Sequence, residues 1–90
     1  MPKIVMYATR ACPYCRMADM LFQKKGVVVE RIQIDDAPDL RIEMTRLSGR
    51  TTVPQIFING RHVGGYTDLA SLDRAGTLDA LLRSDQAAGG

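Results

Sequence analysis

The chain has 90 residues, which is enough for one folded domain and too few for two domains that each bury a core. Its hydrophobic fraction of 46%, with 8 glycines and 4 prolines, excludes a disordered or fibrous chain. The formal net charge is only +2, and no basic run exceeds Lys24-Lys25, which argues against nucleic acid and membrane surfaces as partners. We predict one domain over residues 1–84 and a frayed polar tail over 85–90.

Apolar stretches in the sequence are short. The run Val27-Val28-Val29 falls far below the roughly 20 apolar residues of a membrane span. Met1-Pro2-Lys3 leads directly into a strand pattern, without the apolar core and cleavage site of a signal peptide. We therefore predict a cytoplasmic protein in a reducing compartment, with no membrane partner.

The first half of the chain predicts a strand, a helix and a second strand. Residues 3–8 are mostly apolar and suit a strand that is buried on both faces. Pro13 fits the first position of a helix, for which Gly26 offers a C-terminal cap. Residues 27–34 are rich in β-branched side chains and predict the second strand, with Val28 on its apolar face.

The next predicted elements are a helix and a β-hairpin. The run Asp35-Asp36-Ala37-Pro38 is typical of a helix start, and Ser48-Gly49 ends the helix. Residues 55–58 and 61–64 flank Asn59-Gly60, a strong signal for a two-residue hairpin turn. The inner face of this helix is expected to carry Leu40, Met44 and Leu47.

A last helical region follows the hairpin. Asp68 can cap a helix, and Gly76 interrupts the helical pattern before residues 77–83. The resulting element order predicts an α/β fold with a mixed sheet, in which a right-handed crossover joins a parallel pair and the hairpin adds antiparallel strands.

The motif Cys12-Pro13-Tyr14-Cys15 combines two cysteines with a helix start. The unpaired N–H groups and the dipole at a helix N-terminus stabilise a thiolate, which is the working nucleophile. Cys12 has that position, and Arg10 and Arg16 add nearby positive charge. Cys15 follows on the next turn, within disulfide reach and expected to be more buried. We predict a pKa for Cys12 below the free-cysteine value of about 8.5.

Two other interpretations of the cysteine pair compete with redox catalysis. An inert structural disulfide is unusual in a reducing compartment. A tetrahedral zinc site needs four ligands, whereas the chain offers two cysteines and the lone His62, so a closed intramolecular metal site is not expected. His62, within a predicted strand, is expected to be a surface or packing residue.

Three motifs in this order and spacing resemble the dithiol glutaredoxins, particularly the small bacterial glutaredoxin 3 type: Cys12-Pro13-Tyr14-Cys15, Thr52-Val53-Pro54 and Gly64-Gly65-Tyr66-Thr67-Asp68. The resemblance covers residues 3–83. It implies a thioredoxin-like fold, with sheet order 2-1-3-4 flanked by helices, and an enzyme that uses glutathione as its reductant and co-substrate.

The resemblance also implies a glutathione site. Val53, between Thr52 and a cis-Pro54, would offer free backbone to the extended tripeptide. Gly65 would permit close approach, while helix N–H groups near Thr67 and Asp68 would bind the γ-glutamyl carboxylate. The Asp68 side chain would face the ligand ammonium and could instead serve only as a helix cap. The aromatic ring of Tyr14 would flank the thiol.

Two positions depart from the family pattern. Thr9 stands where the family usually has a lysine that binds the glycine-end carboxylate, so Arg10 or Arg50 is expected to supply that charge. Tyr66 stands where relatives often carry a further cysteine, and a third redox thiol is therefore absent.

The predicted mechanism makes Cys12 the nucleophile toward glutathionylated proteins and Cys15 the resolving thiol for protein disulfides. A redoxin reduced by thioredoxin reductase and an iron–sulfur carrier bridged by two protomers stay open as alternatives. We expect a monomer without a bound metal. Ribonucleotide reductase, sulfate-assimilation enzymes and other glutathionylated proteins all remain candidate substrates.

Overall fold

A computed structural model describes residues 2–83, and the predicted tail over 85–90 lies outside this range. The strands are β1 (Ile4–Ala8), β2 (Val29–Gln33), β3 (Gln55–Ile58) and β4 (Arg61–Gly64). The helices are α1 (Pro13–Lys24), α2 (Pro38–Ser48), α3 (Tyr66–Arg74) and α4 (Thr77–Arg83). In this part of the chain, no helix is long and apolar enough to cross a membrane.

The four strands form one mixed sheet in the order β2-β1-β3-β4. β1 pairs in parallel with β2 and antiparallel with β3, while β3 and β4 form an antiparallel hairpin. The hairpin turn has φ angles of 52° at Asn59 and 83° at Gly60, as a two-residue turn of this kind requires. This arrangement confirms the thioredoxin-like α/β fold.

The core lies on both faces of β1. Because side chains alternate along a strand, Ile4, Met6 and Ala8 face one cluster while Tyr7 faces the other. The larger cluster contains buried residues of α1, α3 and α4 and both cysteines. The central strand is therefore buried on both faces, as predicted, and the end of β1 leads into the cysteine loop.

Tyr7 connects the central strand to α2. Its hydroxyl donates a hydrogen bond of 2.7 Å to Glu43 Oε2. Burial, followed by this hydrogen bond to a carboxylate, raises the pKa of Tyr7 to about 12. The phenol therefore stays protonated and holds α2 against the sheet.

The predictions for β2 and α2 were wrong in detail. β2 begins at Val29, opposite Ile4, and the preceding Val28 is 75% exposed because it lies before the paired ladder. α2 begins at Pro38, as the run Asp35-Asp36-Ala37-Pro38 predicted, and the Asp35 carboxylate ahead of it accepts hydrogen bonds from the Arg10 N–H and from Gln33 Nε2. Leu47 is exposed, so the inner face of α2 centres on Met44.

Lys25 joins the end of α1 to the junction of α3 and α4. Its Nζ lies 2.8 Å from Asp73 Oδ1 and 2.9 Å from Asp79 Oδ1. Hydrogen bonds to Asp73 and then Asp79 raise the pKa of Lys25, and the hydrogen bond from Lys25 lowers the pKa of Asp79. One cation thus connects three helices.

We expect Lys25→Met to lower the melting temperature at neutral pH, because it leaves Asp73 and Asp79 without their shared cation. The pKa of Asp79 is lower in the folded state than in the unfolded state. Its contribution to stability is therefore fully present when the pH is above the unfolded-state pKa, and it is lost as the pH falls through the folded-state pKa. The difference from wild type should therefore shrink in acid. Thermal unfolding at neutral pH and at about pH 3 tests this, with exposed Lys24→Met as the control; equal losses in both variants would contradict it.

Candidate active site

The two cysteines lie at the start of α1. Cys12 is the N-cap residue, Pro13 follows at the first helical position, and a disulfide joins Cys12 to Cys15 with Cα atoms 5.2 Å apart. The Cys15 N–H donates a hydrogen bond of 3.1 Å to Cys12 Sγ. Cys15 is fully buried and Cys12 is 5% exposed. The helix terminus thus directs a backbone N–H at the sulfur that was predicted to be the nucleophile.

The segment Thr52-Val53-Pro54 leads into β3. The Val53–Pro54 peptide bond is cis, as the resemblance implied. Val53 packs against the cluster that contains both cysteines, whereas Thr52 is exposed. A Cβ on Gly65 would lie 3.5 Å from the Pro54 carbonyl oxygen, so the loop before β3 and the loop before α3 run close together.

Gln55 and His62 form a hydrogen-bonded network behind this loop. Gln55 is fully buried, and its Nε2 donates to the Thr52 carbonyl oxygen at 3.1 Å and to Thr52 Oγ1 at 3.3 Å. Its Oε1 lies 2.8 Å from His62 Nε2. Because the Gln55 amide nitrogen already donates to Thr52, its oxygen accepts, and His62 Nε2 carries the hydrogen.

His62 is therefore a packing residue with a specific polar partner. Burial, followed by the charge of Arg50, lowers the pKa of His62, and Asp68 opposes that shift. Sequence reasoning missed the role of Gln55. The available signal was a lone amide side chain at the start of the otherwise apolar strand β3, because a buried amide requires hydrogen-bond partners.

We expect Gln55→Ala to lower the free energy of unfolding by about 1–3 kcal/mol, because it leaves the Thr52 carbonyl and His62 without their partner. Urea unfolding measures the change. Gln23→Ala on the exposed side of α1 is the matched control and should cost little, since Gln23 is exposed. A similar loss in both variants would show that the buried network contributes nothing specific.

Asp68 lies in the first turn of α3 and faces back toward its start. Asp68 caps this helix as predicted, but from the third helical position, because α3 begins at Tyr66 with Gly65 as the N-cap residue. Asp68 Oδ2 accepts the Gly65 N–H at 2.9 Å, because a carboxylate at the third helical position can reach back to the N-cap amide. Thr67 is exposed in the same turn.

The two arginines considered for the glycine-end carboxylate occupy different environments. Arg50 Nη1 lies 2.9 Å from Asp68 Oδ2. The Gly65 N–H, followed by Arg50, lowers the pKa of Asp68, so this carboxylate is ionised at neutral pH. Arg10 is mostly exposed and lies 3.8 Å from Asp36 Oδ2. Among residues 2–83, the structure thus joins Arg50 to Asp68 and gives the Arg10 guanidinium, near the cysteine loop, one long ion pair.

Tyr14 of the cysteine motif contacts a second tyrosine, Tyr66. Tyr14 and Tyr66 stack with ring centroids 6.2 Å apart and an interplanar angle of 25°. The residue found in place of the extra cysteine therefore supports the Tyr14 ring. Between residues 2 and 83, no group of three or more potential metal ligands comes together.

A redox-capable cysteine pair at a helix N-terminus, beside a cis-proline loop on a thioredoxin-like sheet, is typical of thiol-disulfide oxidoreductases. The family model for glutaredoxin matches residues 4–63. The chain therefore belongs to the glutaredoxin family, which implies thiol-disulfide oxidoreductase activity with glutathione.

Individual relatives agree with this assignment. The chain is 55% identical over 82 residues to a glutaredoxin of Pseudomonas aeruginosa, covering 91% of this chain and 98% of the relative. It is 47% identical over 83 residues to glutaredoxin 3 of Escherichia coli, covering 92% and 100%. A buckwheat glutaredoxin–glutathione complex superimposes with a TM-score of 0.88 at 27% identity, covering 94% of this chain and 80% of that one.

Proposed function

We propose that this protein is a glutathione-dependent reductase of glutathione mixed disulfides and of protein disulfides. The observation that carries the proposal is the position of Cys12, whose sulfur caps α1 and accepts the Cys15 N–H. The same N–H and the helix dipole stabilise a thiolate once the disulfide is reduced. Such a reaction requires a pool of reduced glutathione, which places it in a reducing compartment such as the cytoplasm.

The reaction with a glutathionylated protein needs only Cys12. Its thiolate attacks the glutathione sulfur, the substrate sulfur leaves as a thiolate and takes up a proton, and a Cys12–glutathione disulfide forms. The thiolate of a second glutathione attacks the bound glutathione sulfur. Oxidised glutathione leaves, and the Cys12 thiolate is restored, so that two electrons pass from glutathione to the substrate.

Reduction of a protein disulfide uses both cysteines. Cys12 attacks one substrate sulfur and releases the other as a thiolate, and Cys15 then attacks Cys12 Sγ to free the second substrate thiol. The Cys12–Cys15 disulfide that results is the form seen here. Two glutathione molecules reduce it in successive exchanges and leave as oxidised glutathione.

The chemistry of glutathione matches the groups around the dithiol. The ionised Asp68 suits the γ-glutamyl ammonium, and N–H groups at the start of α3, near Thr67, suit the γ-glutamyl carboxylate. The backbone of Val53, outside the β3 ladder, suits the peptide part of the ligand. These roles, with Thr52, Pro54 and Gly65 shaping the loops, are part of the proposal.

Arg10 and Tyr14, at the cysteine loop, supply the remaining two contacts to glutathione in the proposed site. We assign the glycine-end carboxylate to Arg10, because in the described part of the chain its guanidinium has one ion pair, at 3.8 Å, whereas Arg50 is engaged by Asp68. Tyr14, stacked on Tyr66, borders the thiol with an exposed ring.

The choice of electron donor tests the proposed function. A glutathionylated peptide is incubated with the protein, glutathione, glutathione reductase and NADPH, and NADPH oxidation is followed. We expect turnover that depends on glutathione and none when thioredoxin reductase replaces glutathione and its reductase. Turnover with thioredoxin reductase alone would contradict the proposal, as would visible absorption of a bound iron–sulfur cluster in anaerobically purified protein that lacks reductase activity.

A further inference from the structure

Three large apolar side chains follow one another along the solvent face of α1. Tyr14, Met17 and Met20 recur every third residue and are 58%, 42% and 66% exposed. The opposite face of the helix carries its buried residues, Cys15, Ala18 and Phe22. Tyr14, Met17 and Met20, here called the methionine stripe, therefore lie outside the core of this domain.

The methionine stripe borders a groove between α1 and the start of α3. A space of about 260 Å³ is lined by Met17, Met20, Leu21, Lys24 and Tyr66. Tyr66, which lines this groove, also stacks on Tyr14 of the cysteine motif. The walls are mostly apolar, and the groove is open to solvent on one side.

The position of the stripe follows from the helix that Cys12 caps. From Cys12 to Met20, α1 rises about 12 Å, a distance that about four residues of extended chain cover. A protein substrate bonded to Cys12 Sγ must pass its flanking residues over the nearby surface. The methionine stripe is one surface along which those flanking residues can extend from that sulfur.

Charges beside the stripe are positive. Arg16 and Lys24 are exposed, and within residues 2–83 neither forms an ion pair. The acidic residue of this helix, Asp19, is occupied by Arg31 of β2. A partner segment with acidic residues would therefore meet complementary charge here.

We propose that the methionine stripe binds the polypeptide next to the attacked cysteine of protein disulfide substrates, with an apolar side chain in the groove and an acidic residue beside Arg16 or Lys24. Flexible methionine side chains adapt to varied apolar partners, which suits a reductase with several protein substrates. The proposal rests on the proposed function. Binding at the methionine stripe would discriminate between protein substrates, which recognition of glutathione does not.

Two synthetic peptides with an internal disulfide test the stripe. One carries leucine and glutamate next to its first cysteine, and the other carries serine and lysine at the same places. In the glutathione-coupled assay, we expect wild type to favour the first peptide about tenfold in kcat/KM, which corresponds to about 1.4 kcal/mol. Met17→Gln/Met20→Gln should remove this preference through KM, with kcat nearly unchanged.

The matched control removes apolar surface elsewhere. Val28 and Ile42 are 75% and 65% exposed, so Val28→Gln/Ile42→Gln makes a comparable change away from α1 and should keep the wild-type preference. The mixed disulfide of glutathione and 2-mercaptoethanol has no polypeptide to bind the stripe, and every variant should reduce it at the wild-type rate. No reduction of this small substrate by wild type would refute the proposed function itself.

Other outcomes overturn the stripe proposal alone. Normal reduction of the small mixed disulfide, combined with equal use of the two peptides by wild type, would show that the stripe does not select substrates. Loss of the preference in the Val28→Gln/Ile42→Gln control would do the same. A wild-type dimer in sedimentation equilibrium that becomes monomeric in Met17→Gln/Met20→Gln would assign the stripe to a second copy of this chain.

Discussion

Cys12→Ser is expected to abolish both proposed reactions, whereas Cys15→Ser is expected to impair only the reduction of protein disulfides. Without the Cys12 sulfur no mixed disulfide forms, so kcat/KM should fall at least ~10³-fold with glutathionylated peptide and with protein disulfide. Cys15→Ser keeps the nucleophile and the backbone N–H that stabilises it. Deglutathionylation should continue within about threefold of wild type, and protein disulfide reduction should fall ~10²-fold.

The measurement is a steady-state assay of each variant with both substrates, coupled to glutathione reductase. Cys15 is fully buried, so circular dichroism and thermal unfolding must show that the serine variant remains folded. Equal loss of both activities in a folded Cys15→Ser protein would contradict the division of roles. Activity of Cys12→Ser toward either substrate would contradict the assignment of the nucleophile.

Gly64→Ala should have the second large effect, on stability and on glutathione binding together. Gly64 has a φ of +117°, and an added Cβ would lie 2.4 Å from Asp68 Oδ2 and 3.1 Å from Arg50 Nη1. The backbone strain should lower the free energy of unfolding by about 1–3 kcal/mol. Because the methyl group also displaces the Asp68 carboxylate, the KM for glutathione should rise about tenfold.

Gly76→Ala separates these two causes. Gly76 also has a positive φ, of +79°, but a Cβ there has no atom within 4 Å. It should lose stability by about 1–2 kcal/mol through the backbone alone and leave the KM for glutathione unchanged. Urea unfolding and glutathione saturation curves test both variants. An unchanged KM in Gly64→Ala would indicate that Asp68 does not contact glutathione.

Much of the fold could be predicted from the sequence because local patterns specify it. The apolar run of β1, the proline and glycine that bound α1, and the Asn59-Gly60 turn each act over a few residues. The element order predicted a parallel pair with a right-handed crossover and an antiparallel hairpin, while the strand order 2-1-3-4 was implied by the resemblance. Errors occurred where tertiary packing takes precedence over a local pattern, as at Leu47, which was predicted on the inner face of α2 and is exposed.

The candidate site divides in the same way. The sequence by itself determined the Cys12–Cys15 pair and its helix terminus, because three-residue spacing and Pro13 are local features. The tertiary structure decided which polar groups interact. Arg50 pairs with Asp68, 18 residues away, and the Gln55 amide forms hydrogen bonds to both His62 and Thr52. It also decided that Tyr66 supports Tyr14 beside an open groove. Such contacts join residues that only the folded backbone brings together, so no local pattern could specify them.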